Sequence, residues 1–405
     1  MIILKDKRKR IAIFFLILMC VQYAPLEGVE VSYIKFTAML IAPFIWLNNF
    51  SKFSKAFKWA SIYMLVIIIS VIINIESFRL STVGYKISFL LMFIMYYDLI
   101  YHKHVFTLET FINLLKKLIL AYTICLLIQQ LAIILGLQSF SILNITKDLD
   151  RGIGSNSLTI EPSHAARIMT VLMLCLLRMY EVKWGRKSLK LSRLYKENKW
   201  VILGFLWSML TMGSGTAFVG LGILALYFLK KQYILIVGFL LLFFYLAIPY
   251  INNTSFNRAK IAFESTLTLD QAEIKKADYS AASRIVPLIN TFTELDLSKT
   301  ETWVGKGIDT NESSDYLSEE QKIGGISDYG LISYIISLIF VMVCCIRKLL
   351  SLETLIFILL LGAGISNIAY IWGILMLFTT SKYFFLKWEK NKRHNLNIKK
   401  NINYS

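Results

Sequence analysis

Cysteine, internal repetition and nucleotide-binding loops are all scarce or missing in this 405-residue chain, and each shortfall removes a class of protein. The five cysteines, Cys20, Cys125, Cys175, Cys344 and Cys345, all fall within apolar stretches. A disulfide framework or a thiolate metal centre is therefore not expected, and the five read as packing residues. No small-x-small cleavage pattern follows Met19-Cys20-Val21, so the basic start and the apolar run behind it read as an uncleaved first helix rather than a secretory signal. Gly305-Lys306-Gly307 lacks the length and the ending of a Walker loop, which argues against ATP binding. Neither a duplicated half nor paired broken helices can be found, and many secondary transporters show one or the other.

What the chain has is hydrophobic length. Hydrophobic residues make up 56% of it. A bilayer crossing needs roughly 20 apolar residues, so a soluble single core is excluded and the expected fold class is all-α, a polytopic helical membrane protein. Hydropathy places spans at about 11–25, 33–50, 59–75, 84–101, 117–137, 164–181, 200–213, 215–229, 232–250, 327–346, 352–367 and 368–386. Twelve spans put both termini on one side. The organisation is then residues 1–250 with helices one to nine and an external loop at 138–163, a large and partly helical external loop at 251–326, helices ten to twelve at 327–386, and a basic tail at 387–405. Residues 102–116 and 182–199 read as interfacial stretches, the second strongly basic. In the large loop, helical segments are expected near 255–276 and 280–295.

The net charge of +18, from 44 basic and 26 acidic residues, could suggest nucleic acid in a soluble protein. Here Lys5 to Arg10, Lys52/Lys55/Lys58, Lys116-Lys117, residues 182–199, Lys230-Lys231, Arg347-Lys348 and the tail all fall on one side of the alternation. The positive-inside rule makes that side cytoplasmic, and the charge reads as topology rather than a nucleic-acid surface. The loop of about 75 residues between Tyr250 and Ser327 then lies outside; it carries eight basic residues against twelve acidic ones. Connections of that length are usually functional or disordered, and Trp303-Val304-Gly305 with Ile285, Val286, Leu288 and Ile289 argues against disorder.

Chemistry-bearing residues gather on the same external face. Pro162 suits the first position of a helix, with Glu161 at its entrance, which sets Arg167 about 7.5 Å inside. A guanidinium at that depth either faces a cavity or partner, or is a snorkelling or Glu161-paired structural residue. Arg151, Arg258 and Arg284 lie on the external loops. Guanidinium groups grip phosphates bidentately and keep their charge, so with Arg167 they suit a pyrophosphate at headgroup depth; singly each is ordinarily a solvated surface residue. Asp148-Leu149-Asp150 has the spacing of a metal-binding acid pair but reads as solvated loop, so no metal site is expected. His164 has a pKa suited to proton transfer, although a lone histidine at a helix start is more often a local hydrogen-bonding residue.

Four features in order resemble the O-antigen and capsule repeat-unit polymerases and O-antigen ligases, the Wzy and WaaL-like membrane glycosyltransferases. They are Arg151-x-x-Gly154 leading to Glu161-Pro162-Ser163, the Gly213-Ser214-Gly215-Thr216 turn, Arg284 with a downstream Gly305-x-Gly307, and Tyr329-Gly330-Leu331 opening the next span. The resemblance covers roughly residues 115–345. It implies a bacterial inner-membrane enzyme without a cofactor, which transfers a glycan from an undecaprenyl-pyrophosphate donor to a hydroxyl of a lipid-linked acceptor. Its partners would be those two lipid-linked glycans, membrane lipids and a chain-length regulator, with no nucleic acid. Ligases of the family carry a histidine late in the long loop, and residues 305–330 contain none. The polymerase is therefore the expected activity, with a ligase of the same fold or a lipid-linked oligosaccharide flippase as alternatives. The pyrophosphate would be held by Arg151, Arg167, Arg258 and Arg284. The base for the acceptor hydroxyl is left among Glu161, Asp328 and His164.

Overall fold

The computed structural model describes residues 2–22, 33–49, 53–78, 80–137, 153–185, 191–229, 295–307, 325–365 and 368–402, with 264, 286, 289–291 and 293 individually. Among them there is no strand. The helices are α1 (Ile2–Cys20), α2 (Tyr33–Asn49), α3 (Lys55–Ile73), α4 (Leu80–Tyr101), α5 (Leu108–Ile134), α6 (Pro162–Trp184), α7 (Leu191–Thr211), α8 (Gly215–Phe228), α9 (Thr300–Val304), α10 (Ile326–Cys344), α11 (Leu352–Leu359) and α12 (Ala369–Ile402). Five segments of the described chain are long and apolar enough to cross a membrane, namely 55–73, 80–101, 108–134, 326–344 and 369–393. The chain is thus a helical membrane protein by composition and helix length. The expected ninth span, 232–250, lies outside the described residues, and of the expected loop helices only 264, 286, 289–291, 293 and 295 are described, all but 295 helical.

Two helices form the centre. In α6 almost every side chain from Ala165 to Glu181 is buried, and in α12 so are nearly all from Ala369 to Phe385. A helix apolar and buried all round belongs in the middle of a bundle. Around this pair α5, α7 and α8 pack on the α6 side, α1 and α4 flank α12, and α3 joins α10 and α9. Lipid tails are as apolar as leucine, so close backbone approach rather than hydrophobicity selects these contacts. Gly220 of α8 faces Thr170 of α6, Gly204 of α7 faces Thr123 of α5, and Gly373 of α12 faces the backbone of Met19 and Cys20 in α1. In each case an added Cβ would run into the neighbouring helix.

Local signals fix several boundaries. Pro162 occupies the first turn of α6 with Glu161 as its N-cap, as the sequence suggests. Gly213, with φ of 71°, makes the turn between α7 and α8. Three expectations are corrected. Residues 108–116 are no separate interfacial stretch. They are the first turns of α5, which starts where the Thr107 hydroxyl accepts the Thr110 amide at 3.1 Å. The segment 352–367 is not one continuous helix: α11 covers only eight residues, roughly 12 Å, and turns follow at Gly362 and Ala363, both with positive φ. Finally, α12 does not stop at 386 but continues to Ile402, so the basic tail is helical for most of its length. The basic stretch 182–199 is partly as expected. Its described residues divide between the end of α6 and the first turns of α7, which bends at Asn198, where φ is −137° and ψ 32°. There the Asn198 side-chain amide donates to Leu194 O at 3.1 Å, serving a carbonyl that the broken ladder leaves over.

The bundle has two polar ends, named here for the termini of α6. At the Trp184 end, Arg178 donates to Glu353 through Nε at 2.9 Å and Nη2 at 3.2 Å, and to Glu181 through Nη1 at 2.9 Å. Tyr227 also donates to Glu181, at 2.9 Å. Lys382 caps the last carbonyls around α10, those of Met342, Val343 and Ile346, at 2.6–3.1 Å. Arg347 pairs with Glu389 at 3.3 Å and lies over the Phe385 ring. The Pro162 end is built differently and holds the candidate site.

Candidate functional site at the Pro162 end

The segment before α6 enters the bundle as a buried polar loop. Ser155, Asn156, Ser157 and Thr159 are almost completely buried, and backbone polar groups placed there must be satisfied within the protein. Gln129 of α5 does part of this, donating to Ser157 O at 3.0 Å and accepting from Ser157 N at 2.7 Å. The Ser157 hydroxyl donates to Tyr122 O at 2.6 Å, and Gln22 N after α1 donates to Leu158 O at 2.9 Å. The Thr159 hydroxyl lies 2.7 Å from both Asn156 O and Glu161 O. This knot fixes where α6 begins.

From that start Arg167 reaches the α12 side. Its Nη1 donates to the Tyr370 hydroxyl, and its guanidinium carbon lies 5.6 Å from the centre of the Tyr370 ring. The His164 ring packs on the same tyrosine with centroids 4.4 Å apart, and its Nε2 is 3.7 Å from Glu161 Oε2. Arg167 Nε is buried without a hydrogen-bond partner among the described residues. An unmatched donor at this depth is costly, and in a membrane bundle such a cation is an anion-site candidate. Glu161, His164 and Arg167 therefore come together around Tyr370. Glu161 is no ion-pair partner holding Arg167; its carboxylate is largely exposed and faces Ser163 and His164. Thr216, from the Gly-Ser-Gly-Thr turn, opens the α8 face that meets α6 at Thr170, and its Oγ1 is likewise buried and unmatched.

A second grouping surrounds Asp328 in the first turn of α10. Here the two glycine motifs interlock. Lys306 N donates to Ser327 O at 2.8 Å and Gly307 N to Asp328 O at 3.2 Å, while Ser70 and Asn74 of α3 donate to Val304 O at 2.5 Å and Gly305 O at 3.1 Å. A Cβ on Gly305 would strike the Asp328 carbonyl, and one on Gly330 would strike the Trp303 carbonyl. Gly330 also has φ of 84° and ψ of 167° and bends α10 there, a conformation almost confined to glycine. Beneath this clasp Lys86 of α4 is 3% exposed. Its ammonium lies 3.9 Å from the Tyr329 ring centre and 5.6 Å from that of Tyr63.

The helices of the two groupings pack mainly on other partners. α6 packs on α5, α8 and α12, and α10 packs on α3 and α9, with α4 and α12 between them, joined by Phe89 stacked on Trp372 at 5.9 Å. Arg151, Arg258, Arg284 and the Asp148–Asp150 pair lie outside the described residues. Among the described residues no three His, Cys, Asp or Glu side chains converge as metal ligands do.

Sequence reasoning missed Lys86, Arg178 and Glu353. The signal for all three was present, since each is an ionisable residue inside an apolar span, which by default marks a paired or functional group. Compared with known proteins, the chain matches no family model, no curated protein and no solved structure.

Proposed function

We propose that the chain is a bacterial inner-membrane polysaccharide polymerase, which joins undecaprenyl-pyrophosphate-linked oligosaccharide repeats into O-antigen or capsular glycan at the external face of the membrane. In this reading the chain makes twelve crossings with both termini cytoplasmic. The basic residues of the Trp184 end, Lys116, Lys183, Arg193, Arg347 and Lys387 among them, face the cytoplasm, and the Pro162 end faces out.

Arg167 is the observation that carries the proposal. Its guanidinium is set one and a half turns inside the outer start of α6, tied on one side to Tyr370 and carrying a buried donor that no described residue takes up. A pyrophosphate held at headgroup depth would satisfy it, with Arg151, Arg258 and Arg284 as further ligands from the loops. Pyrophosphate is already a good leaving group, so the reaction needs its developing charge stabilised rather than a general acid. The acceptor hydroxyl oxygen attacks the anomeric carbon of the donor repeat, and the bond from that carbon to the pyrophosphate oxygen breaks with its electron pair. One base takes the hydroxyl proton. Glu161, His164 and Asp328 are the groups at this end able to do so. The absence of histidine between residues 305 and 330 favours the polymerase over a ligase of the same architecture.

Deletion and complementation in the host provide the test, with surface glycan resolved on a gel. A strain lacking the chain should carry glycan capped by a single repeat, and the wild-type chain should restore the ladder. Unchanged ladders in the deletion strain would end the proposal. Loss of all repeat-bearing surface glycan with lipid-linked repeats retained inside would assign a flippase instead.

A further inference from the structure

Resting on that reading, we propose that the Thr216 hydroxyl of α8 is a second ligand of the donor pyrophosphate, sharing with Arg167 one pocket at the Pro162 end, where α8 and α12 flank α6. The two residues stand at one level of the bundle. α8 runs parallel to α6, because Gly220 lies against Thr170 and, seven residues further along both helices, Tyr227 reaches Leu177 O and Glu181. One turn nearer the Pro162 end, that register sets Thr216 beside Ala166, the residue before Arg167. Thr216 also shares a helix stripe with Gly220 and Tyr227, at spacings of four and eleven residues, and so belongs to the face that meets α6.

The Thr216 hydroxyl lacks the outlet that other buried threonines use. Thr123, Thr170 and Thr380 each donate to the carbonyl four residues back in their own helix, at 3.0, 2.7 and 3.0 Å. Thr216 is the second residue of α8, so the carbonyl at that place belongs to Met212, before the Gly213 turn. Its Oγ1 is buried with no hydrogen-bond partner among the described residues, and the whole residue is 2% exposed. A buried hydroxyl left unmatched is costly, and the bilayer supplies no water to relieve it. Arg167 has the matching deficit: Nη1 is taken by the Tyr370 hydroxyl, Nε has no acceptor, and the Glu161 carboxylate is turned to Ser163 and His164. A phosphate oxyanion offers acceptors to both donors and the charge that balances the guanidinium. The helix starts favour it too. α6 and α8 both begin at this end, and the Ser214 side chain does not cap α8. In the reaction the hydroxyl keeps its proton. It donates to a pyrophosphate oxygen that gains charge as the bond to the anomeric carbon breaks.

The experiment titrates the full-length chain in neutral detergent with inorganic pyrophosphate and follows thermal melting, with potassium chloride at equal ionic strength as the control. Pyrophosphate should raise the wild-type melting temperature. Thr216→Val puts a methyl group in place of the hydroxyl; without pyrophosphate it should melt at or above wild type, yet need about 10-fold more pyrophosphate for the same shift. Thr216→Ser should bind as wild type does, and Arg167→Gln should need about 10²-fold more. In vesicles with the host's lipid-linked repeat, Thr216→Val should lower kcat/KM for the donor about 10-fold, with Thr216→Ser restoring it. No response by the wild type, or an equal response by Thr216→Val, overturns the inference. A Thr216→Val chain that melts below wild type without pyrophosphate marks the hydroxyl as structural and overturns it too. Phosphatidylglycerol in mixed micelles should give no shift that depends on Thr216; such a shift would assign the pocket to a lipid headgroup and overturn the donor assignment. The melts need no polymer formation, so an unchanged ladder in the deletion strain defeats the polymerase reading while the titration decides the pocket separately.

Discussion

The two ends of the bundle handle charge in opposite ways. At the Trp184 end three cations are closed by partners: Arg178 is shared between Glu353 and Glu181, Lys382 donates to three carbonyls, and Arg347 holds Glu389. At the Pro162 end Arg167 has one phenol and an unmatched Nε. Similar residue types thus do different work. A guanidinium with its donors matched is bracing, and one with donors left over is poised for a ligand that brings negative charge.

Paired arginine substitutions break this comparison most sharply. Arg178→Ala should strand two buried carboxylates and cost about 3–5 kcal/mol, read as loss of membrane abundance and a lower melting temperature in detergent. Arg167→Ala should leave abundance near wild type and reduce polymer formation by about 10²-fold or more, read as collapse of the glycan ladder to short chains. If the outcomes are interchanged, the ends have been assigned the wrong roles. Next in size is Gly330→Ala, which meets both a glycine-only backbone conformation and the Trp303 carbonyl; a loss of about 2–3 kcal/mol is expected in thermal melts. The smallest effect should come from Lys306→Ala. Its pairing with Glu301 is 3.7 Å long and well exposed, so stability should move by less than about 1 kcal/mol even though its backbone amide helps form the clasp.

What could be read from sequence was local. Glu161-Pro162 marks a helix start because proline needs no amide partner there, and Gly213 marks a turn because of its backbone freedom; both stand as expected. The start of α5 was equally local, in Thr107 and Thr110, but the lysines at 116 and 117 drew the boundary too late. The glycines at 362 and 364 mark the junction of the last two spans, but the end of α11 at Leu359 comes earlier, because its apolar run continues through Leu360 and Leu361 and hydropathy cannot see where the ladder stops. The site was less legible still. Arg167 and Asp328 could be named as candidates, yet Tyr370 beside the first and Lys86 against Tyr329, the neighbour of the second, come from helices far away in the chain, and no spacing announces them.

That separation also sets an order of events during synthesis. Lys86 and Asp328 are some 240 residues apart, so a ribosome adding about 5–20 residues per second delivers α4 to the bilayer roughly 12–50 seconds before α10. For that interval the nascent helix carries its lysine without the Tyr329 ring that covers it in the finished bundle. The packing of Lys86 on the Tyr329 ring is therefore a late milestone in biogenesis, closing the bundle around a helix inserted long before.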